Sequence, residues 1–334
     1  MNLQTRVELL VKLGDYMRSN EADWMAAKEK ASRENGWFTS EFIDISTTTI
    51  ADNFLQTSIL NEWITPYEFA ADNNAPKTIG IVMAGNIPLV GFHDFLCVFI
   101  TGHIALIKPS SKDEVLIKHL AGKLIEWRSE CEKLIRFATM LKGCDAYIAT
   151  GSNNSSGYFD YYFKKYPNII RRNKTSIALL SGNESEAELA ALADDVYLYF
   201  GLGCRNVTKL YVPNGYDFIP LLNAFRKYDY LAEHHKYKNN YDYNLAILLL
   251  NHQFYMSTHS ILLVENQALF SPISQLNYSF FENAPSLIKE LPGHPDLQGI
   301  VGHDFIPFGK SQFPAIGDYA DQVDTLHFLK NLQN

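Results

Sequence analysis

Cys204 sits in the run Phe200-Gly201-Leu202-Gly203-Cys204-Arg205-Asn206, between the nearly all-apolar residues 196–200 and the strand-like residues 209–213. Gly201 and Gly203 let the backbone come close to whatever lies against it. A cysteine at such a break can be aimed into a cleft, where its thiolate acts as a nucleophile. A lone cysteine is more often a small buried hydrophobe. Three further features bear on that choice. Asn86 follows a strand directly and precedes Pro88, so its amide can donate to a developing oxyanion or close an Asx-turn. Lys108 ends another strand just before Ser110 and Ser111. A lysine beside the free N–H groups of a helix start suits a sugar hydroxyl or a phosphate; a solvated surface lysine is the alternative. Gly151-Ser152 opens a further helix and makes a weak phosphate cradle, without the G-x-G-x-x-G fingerprint of ordinary dinucleotide binding.

Those residues need elements to hold them. Residues 5–35 carry apolar side chains at helical spacing (Val7, Leu10, Leu13, Tyr16) and predict two helices, with a further helical pattern over residues 50–64. From residue 78 the pattern becomes strand, polar turn, helix, with strands at 78–83, 104–107 and 147–149, each ending in one of the turns above. Ser110 or Ser111 is expected to cap a helix whose apolar face is Val115, Ile117, Leu120, Leu124 and Trp127. Repetition of this unit marks a parallel α/β sheet, and ligands of such sheets bind beyond the carboxyl ends of the strands. A second α/β region follows Lys174. It reads as strand 176–180, helix 186–198, the Cys204 turn, strand 209–212, helices 218–227 and 245–251, and strand 260–264. A glycine-containing loop and a short helix follow residue 308. The expected division is residues 1–173 and 174–334, two α/β domains with parallel-rich sheets and a cleft between them.

A chain of 334 residues is long enough for two such domains. The formal net charge of −8 argues against a nucleic-acid partner, which requires a basic surface. Cys97, Cys131, Cys144 and Cys204 form no C-x-x-C pair and no metal-like spacing with histidine, so reduced thiols in the cytoplasm are expected. Residues 1–14 lack the apolar core of a signal peptide. Residues 89–107 have the length of a membrane span but contain His93, Asp94, Thr101 and His103. An unpaired aspartate near a span centre costs about 3 kcal/mol, so a buried helix followed by a buried strand is expected instead.

Taken in order, these segments resemble the aldehyde dehydrogenase superfamily. Ala84-Gly85-Asn86-Ile87-Pro88-Leu89 is similar to its Pro-Trp-Asn-x-Pro-Leu segment, and Ile107-Lys108-Pro109-Ser110 to its Lys-Pro-Ser/Ala segment. Ala149-Thr150-Gly151-Ser152 is similar to Phe-Thr-Gly-Ser, and the residues leading into Cys204 to the Gly-Gln-x-Cys nucleophile turn. Leu269-Phe270-Ser271-Pro272-Ile273 resembles Ile-Phe-Gly-Pro-Val, and Pro307-Phe308-Gly309-Lys310-Ser311 the closing Phe-Gly-x-Ser loop. Within the superfamily the chain resembles the acyl-CoA reductase (LuxC-type fatty acyl reductase) branch. Residues 200–207, His235-Lys236-Tyr237 with residues 239–244, and Asp318-Tyr319-Ala320-Asp321 carry that resemblance.

The resemblance implies Cys204 as nucleophile, with the Asn86 amide and the Cys204 backbone N–H as oxyanion donors. It implies a nicotinamide cofactor held by Ala84, Gly85, Lys108, Ser110, Ser111, Gly151, Ser152 and Phe270. Lys108 falls on the adenosine ribose or its phosphate, Gly151 and Ser152 on the pyrophosphate, and Phe270 near the nicotinamide. Three departures refine this. With Lys174 aligned on the family's lysine, Ile170 stands where hydrolytic members carry the glutamate that activates water. An acyl-cysteine without such a base survives to meet a hydride. Ser111 stands where NAD-preferring members often hold an acid; serine can hydrogen-bond a 2′-phosphate that a carboxylate repels, which favours NADPH and leaves NADH as an option. Ala268 replaces a glutamate that often grips the nicotinamide ribose. A free thiol has a pKa of about 8.5, and His234 and His235 are candidates, by residue type alone, to take the Cys204 proton. The implied function is NADPH-dependent reduction of a long-chain acyl-CoA or other acyl thioester to the aldehyde, in a cytoplasmic homo-oligomer. The alternatives are an acyl-phosphate reductase of the same superfamily, a cysteine acyltransferase or thioesterase without nicotinamide, and a binding module that keeps only the fold.

Overall fold

Short apolar runs separated by polar turns pair, in the first half of the chain, into a wholly parallel sheet. The computed structural model describes residues 1–151, 153–283, 287–289, 291 and 293–332. Helices α1 (Leu3–Arg18), α2 (Ala22–Glu34), α3 (Ser40–Asn53) and α4 (Thr57–Ile64) precede the sheet. Then come β1 (Thr78–Val82), α5 (Phe92–Ile100), β2 (Ile104–Lys108), α6 (Val115–Trp127), β3 (Ile135–Phe137), β4 (Ala146–Thr150), α7 (Asn153–Phe163) and β5 (Asn168–Arg171). The strand order is β3-β2-β1-β4-β5, every pair parallel. Successive strands leave β1 in opposite directions, so the order reverses at β1, which makes the carboxyl end of that strand the place to look for a ligand.

Helix α5 is the hydrophobic centre of this unit. Phe92, Phe95, Leu96, Cys97, Val98, Phe99 and Ile100 are all at most 1% exposed, each large side chain contributing roughly 1.5–3 kcal/mol of burial. Nine residues rise only about 14 Å, less than half of a bilayer's hydrocarbon core. Among the described residues no helix is long and apolar enough to cross a membrane. Asp94 of α5 is buried and ion-paired with Arg171 of β5 through both carboxylate oxygens, and Arg171 Nη2 donates to Thr325 Oγ1 at 2.9 Å. The aspartate that argues against a membrane span is paired here with a residue 77 positions away.

The second unit is Lys174–Phe313; the first is Met1–Asn173 together with Pro314–Asn334. The last residues, expected with the second unit, belong with the first. Their side chains explain this. Trp63 Nε1 donates to Tyr319 Oη at 2.9 Å, Tyr67 donates to Asp324 at 2.7 Å, and Leu326 and Leu329 of α11 (Thr325–Asn331) are fully buried.

In the second unit β6 (Thr175–Leu179), α8 (Glu186–Tyr197), β7 (Val207–Pro213), α9 (Ile219–Phe225) and α10 (His235–Leu250) follow one another. They lead to β8 (Met256–Ser257), β9 (Leu262–Glu265), β10 (Gln275–Phe281) and β11 (Leu297–Val301). The order is β11-β6-β7-β10-β9-β8, parallel except for the antiparallel β8–β9 pair. Two expectations need correction. Helix α10 starts at His235, not at residue 245, because its polar first half is capped by His234, which accepts from the Tyr237 N–H. Neither Ser110 nor Ser111 caps α6: that helix starts at Val115 after Glu114, with no side-chain cap. Ser110 instead accepts the Lys112 N–H at 3.3 Å and the Asp113 N–H on its carbonyl at 3.0 Å, closing a turn that spends these residues before the helix begins.

Candidate functional site

In the second unit, Cys204 lies on a turn built from unusual backbone. Helix α8 opens on a Ser185–Glu188 capping box and closes at Tyr197. Tyr199 (φ 56°, ψ 28°), Phe200 (φ 58°, ψ 25°) and Gly201 (φ 72°) then run left-handed in succession. For the two non-glycine residues that conformation costs about 1–2 kcal/mol each, so tertiary contacts must impose it. Phe200 is buried with its ring 4.4 Å from that of His234 and 5.6 Å from that of Tyr237. Asn206, fully buried, supplies the rest. Its Nδ2 donates to the carbonyls of Leu198, Asp195 and Val196 at 2.9, 3.1 and 3.3 Å, and its Oδ1 accepts the Gly203 N–H at 2.8 Å. The Asn206 N–H closes on the Gly203 carbonyl at 3.1 Å, so Cys204 and Arg205 occupy the two central positions of a tight turn into β7.

Cys204 is partly exposed, whereas Cys97, Cys131 and Cys144 are buried. Burial pushes the Cys97 thiol well up, Cys131 to about 11, and Cys144 upward as well. Since the thiolate is the nucleophile, those three are poor candidates, and Cys204 is the partly exposed thiol among the four. His234 is engaged as the α10 cap and packs on Phe200, while His235 is exposed.

Phe270 is 36% exposed, on a loop whose carbonyls are held from the sheet beneath. Lys209 of β7 donates to the Asn266 carbonyl and to Ser279. Thr208 donates to Leu269 O at 2.7 Å, and Asn277 of β10 to Ala268 O and Phe270 O at 3.0 Å each. Lys209 and Asn277 are register partners on adjacent strands. Burial lowers the Lys209 ammonium to about 8.

In the first unit, the segment after β1 is equally constrained. Ser46 donates to Pro88 O at 2.7 Å, and Leu89, left-handed at φ 56°, donates its N–H to Asp113 Oδ2 at 2.6 Å. Burial holds the Asp113 carboxyl well above its ordinary range. Asn86 stands exposed on this turn and Ala84 is half-buried. Gly85 packs so closely on Ser110 that an added Cβ would lie 2.6 Å from its Cβ and Oγ. Beside it opens a cavity of about 610 Å³ at the carboxyl ends of β1, β2 and β3, lined by Lys108, Ser110, Ser111, Glu114 and Lys118 with Val82 and Phe137 among the apolar residues. Lys118 is paired with Glu114 at 2.7 Å. The structure thus brings Lys108, Ser110 and Ser111 into one cavity, with Gly85 packed against it. Gly151 lies apart at the end of β4, its N–H on Arg171 O at 3.3 Å, and Ser152 lies outside the described residues. Ile170, on edge strand β5, is half-buried.

Sequence reasoning missed Asn206, Asp195, Lys209, Asn277 and Lys118. The available signal was polarity inside otherwise apolar runs, since all but Lys118 are buried.

No protein-family model matches the chain, and no curated protein matches it. Solved structures do match. Aldehyde dehydrogenase 21 from Physcomitrella patens, in complex with the product succinate, is 12% identical, with 91% of this chain and 74% of that one covered at a TM-score of 0.67. An indole-3-acetaldehyde dehydrogenase from P. syringae, bound to NAD+ and IAA, is 12% identical over 88% and 70% of the two chains at a TM-score of 0.66. An aldehyde dehydrogenase from Bacillus cereus, in complex with NAD+, is 12% identical over 88% and 70% at a TM-score of 0.63. The α/β architecture described above is that of the aldehyde dehydrogenase fold.

Proposed function

We propose that this protein reduces an acyl thioester, an acyl-CoA in the first instance, to the free aldehyde through an S-acyl intermediate on Cys204, using NADPH. The observation that carries the reading is the partly exposed Cys204 at the centre of a turn held against its own backbone preference, while the other three thiols are buried. The Cys204 thiolate attacks the thioester carbonyl, and the donor leaves as its thiolate. The Cys204 N–H is assigned to the oxyanion formed in that step. When bound, the reduced nicotinamide supplies a hydride to the acyl carbon. The resulting thiohemiacetal oxyanion re-forms its carbonyl, expels the Cys204 thiolate and leaves as aldehyde. Ile170 supports reduction over hydrolysis, because an alkyl side chain cannot take a proton from water.

The residues around the cavity fit a nucleotide. Lys108 and Lys118 bring two ammonium groups, Ser110 and Ser111 bring hydroxyls, and the cavity volume lies in the range of small-ligand sites. The close approach of Gly85 to Ser110 leaves backbone where a side chain would fill the space. With Glu114 paired to Lys118 and serine at 111, these contacts favour the 2′-phosphate of NADPH over the free hydroxyl of NADH.

Intact-protein mass spectrometry after mixing with a long-chain acyl-CoA, without NADPH, tests the scheme. An acyl adduct mapping to Cys204 is expected, and adding NADPH is expected to remove it with release of aldehyde. NADPH turnover with acyl-CoA by Cys204→Ala would overturn it. Loss of the adduct in water alone would favour a thioesterase.

A further inference from the structure

We infer that Asp195 is a positioning residue for Cys204, joining the nucleophile turn to the loop at residues 307–311 through its buried carboxylate. Its importance for catalysis rests on the reading of Cys204 given above; the mechanical coupling does not.

Asp195 lies in the last turn of α8 and is fully buried. Its Oδ2 accepts the Gly309 N–H at 2.6 Å and its Oδ1 the Ser311 N–H at 2.9 Å. Gly309 has φ 77°, and a Cβ there would stand 2.9 Å from Ala191 Cβ, so this loop rests directly on α8. The Asp195 carbonyl, in turn, accepts from Asn206 Nδ2 at 3.1 Å, and Asn206 Oδ1 holds the Gly203 N–H. The chain of contacts therefore runs from Gly309 and Ser311, through one carboxylate and one amide, to the residues flanking Cys204.

A carboxylate is the side chain this arrangement requires. Two N–H groups converge on two oxygens, and each bond is charge-assisted. An asparagine offers one acceptor and sets its own N–H₂ against the second donor. Neighbouring Asp194 is occupied elsewhere, with Lys227 and with Tyr228 at 2.6 Å. A buried carboxylate whose described hydrogen-bond partners are backbone amides is costly to keep. Its retention is accounted for by the alignment it imposes on two loops.

The test uses Asp195→Asn in the full chain, with hydrogen-exchange mass spectrometry and steady-state kinetics. A lost charge-assisted bond corresponds to a change of about tenfold or more. Exchange at residues 199–206 is expected to rise by about that factor, with peptides of β9 unchanged. The kcat is expected to fall by about tenfold, with the KM for acyl-CoA within about twofold. Gly309→Ala displaces the loop with the carboxylate intact and is expected to shift the same exchange and the same kcat, which keeps the inference testable where Asp195→Asn does not fold. Unchanged exchange at 199–206 and unchanged kcat in a folded variant overturn the coupling. Faster exchange in an enzyme whose wild type is never acylated by acyl-CoA leaves the coupling standing and removes the proposed function instead.

Discussion

Replacing Asn206 separates two accounts of the Cys204 turn. If side-chain volume holds it, Asn206→Ala opens a cavity and destabilises, while the isosteric Asn206→Asp is tolerated. If hydrogen bonding holds it, the order reverses. The two N–H groups of Asn206 Nδ2 are shared among three carbonyls, and its Oδ1 accepts one further bond. Removing these two donors and one acceptor with alanine loses about 1 kcal/mol each, or ~3 kcal/mol, less whatever the turn recovers by relaxing. Aspartate keeps the bond from Gly203 but points a second oxygen at three carbonyl oxygens, in a site that is 0% exposed. A lone uncompensated buried charge costs about 3–5 kcal/mol, on top of ~2 kcal/mol for the two lost N–H donors. Asn206→Asp is therefore expected to be the worse variant by ~2 kcal/mol, and the more so at neutral pH, where ionisation is demanded. The assay must see the second unit. Trp24, Trp37, Trp63 and Trp127 all belong to the first, so tryptophan fluorescence is uninformative here. Urea titration followed by hydrogen exchange in peptides from α8 and β7 reads the right region, and with a typical urea slope of roughly 1–3 kcal/mol/M the two midpoints differ by about 1 M. Equal midpoints, or alanine below aspartate, would falsify the hydrogen-bond account.

The first unit yields a complementary case that tryptophan fluorescence does see. Arg171→Met leaves Asp94 buried without its cation and is expected to cost about 3–5 kcal/mol, whereas Arg171→Met with Asp94→Leu recovers most of it; a double variant as unstable as the single one refutes the pairing argument. In the cavity, Ser111→Glu is expected to raise the KM for NADPH by about tenfold or more while that for NADH changes little, measured by nicotinamide absorbance. Equal effects on the two nicotinamides, or none, remove Ser111 from the proposed cofactor site. Asp195 makes stability depend on pH. Burial pushes its carboxyl up to about 6 from an ordinary value near 3.8. The folded protein therefore keeps a proton that the unfolded chain has lost between these values, so the contribution of this group is fully present below about pH 4 and lost as pH rises through 6. Measured against Asp195→Asn, in which other titrations cancel, wild-type stability should decline by about 3 kcal/mol between pH 4 and 7. A flat or rising difference contradicts the shift.

The strands β1, β2, β4, β6 and β7 were legible because each is a short apolar run closed by glycine, proline or a small polar residue. Where strands escaped notice, polar side chains had taken up buried duties. Strand β10 alternates Gln275, Asn277 and Ser279 with apolar residues, which resembles a solvent-facing edge. It is a central strand, and Asn277 and Ser279 spend that polarity on the carbonyls of residues 266–270. Strand β5 was obscured by Arg171, whose charge is neutralised by a residue far upstream. The candidate nucleophile was visible through its glycines, yet only Gly201 announces a left-handed backbone; Tyr199 and Phe200 adopt it against local preference because Asn206, His234 and Tyr237 require it. Asp194 and Asp195 show where such reading must stop. They are adjacent and identical in type, and a helical pattern treats both as surface. One faces Lys227, and the other is sealed against two backbone amides from a loop 114 residues later or more. What separates them is the phase of α8 relative to a distant glycine turn, a quantity that exists only once the chain has folded. Residues that perform chemistry can be proposed from their type. Those that hold the chemistry in place are distinguished by what they touch, and for Cys204 the second group is the larger.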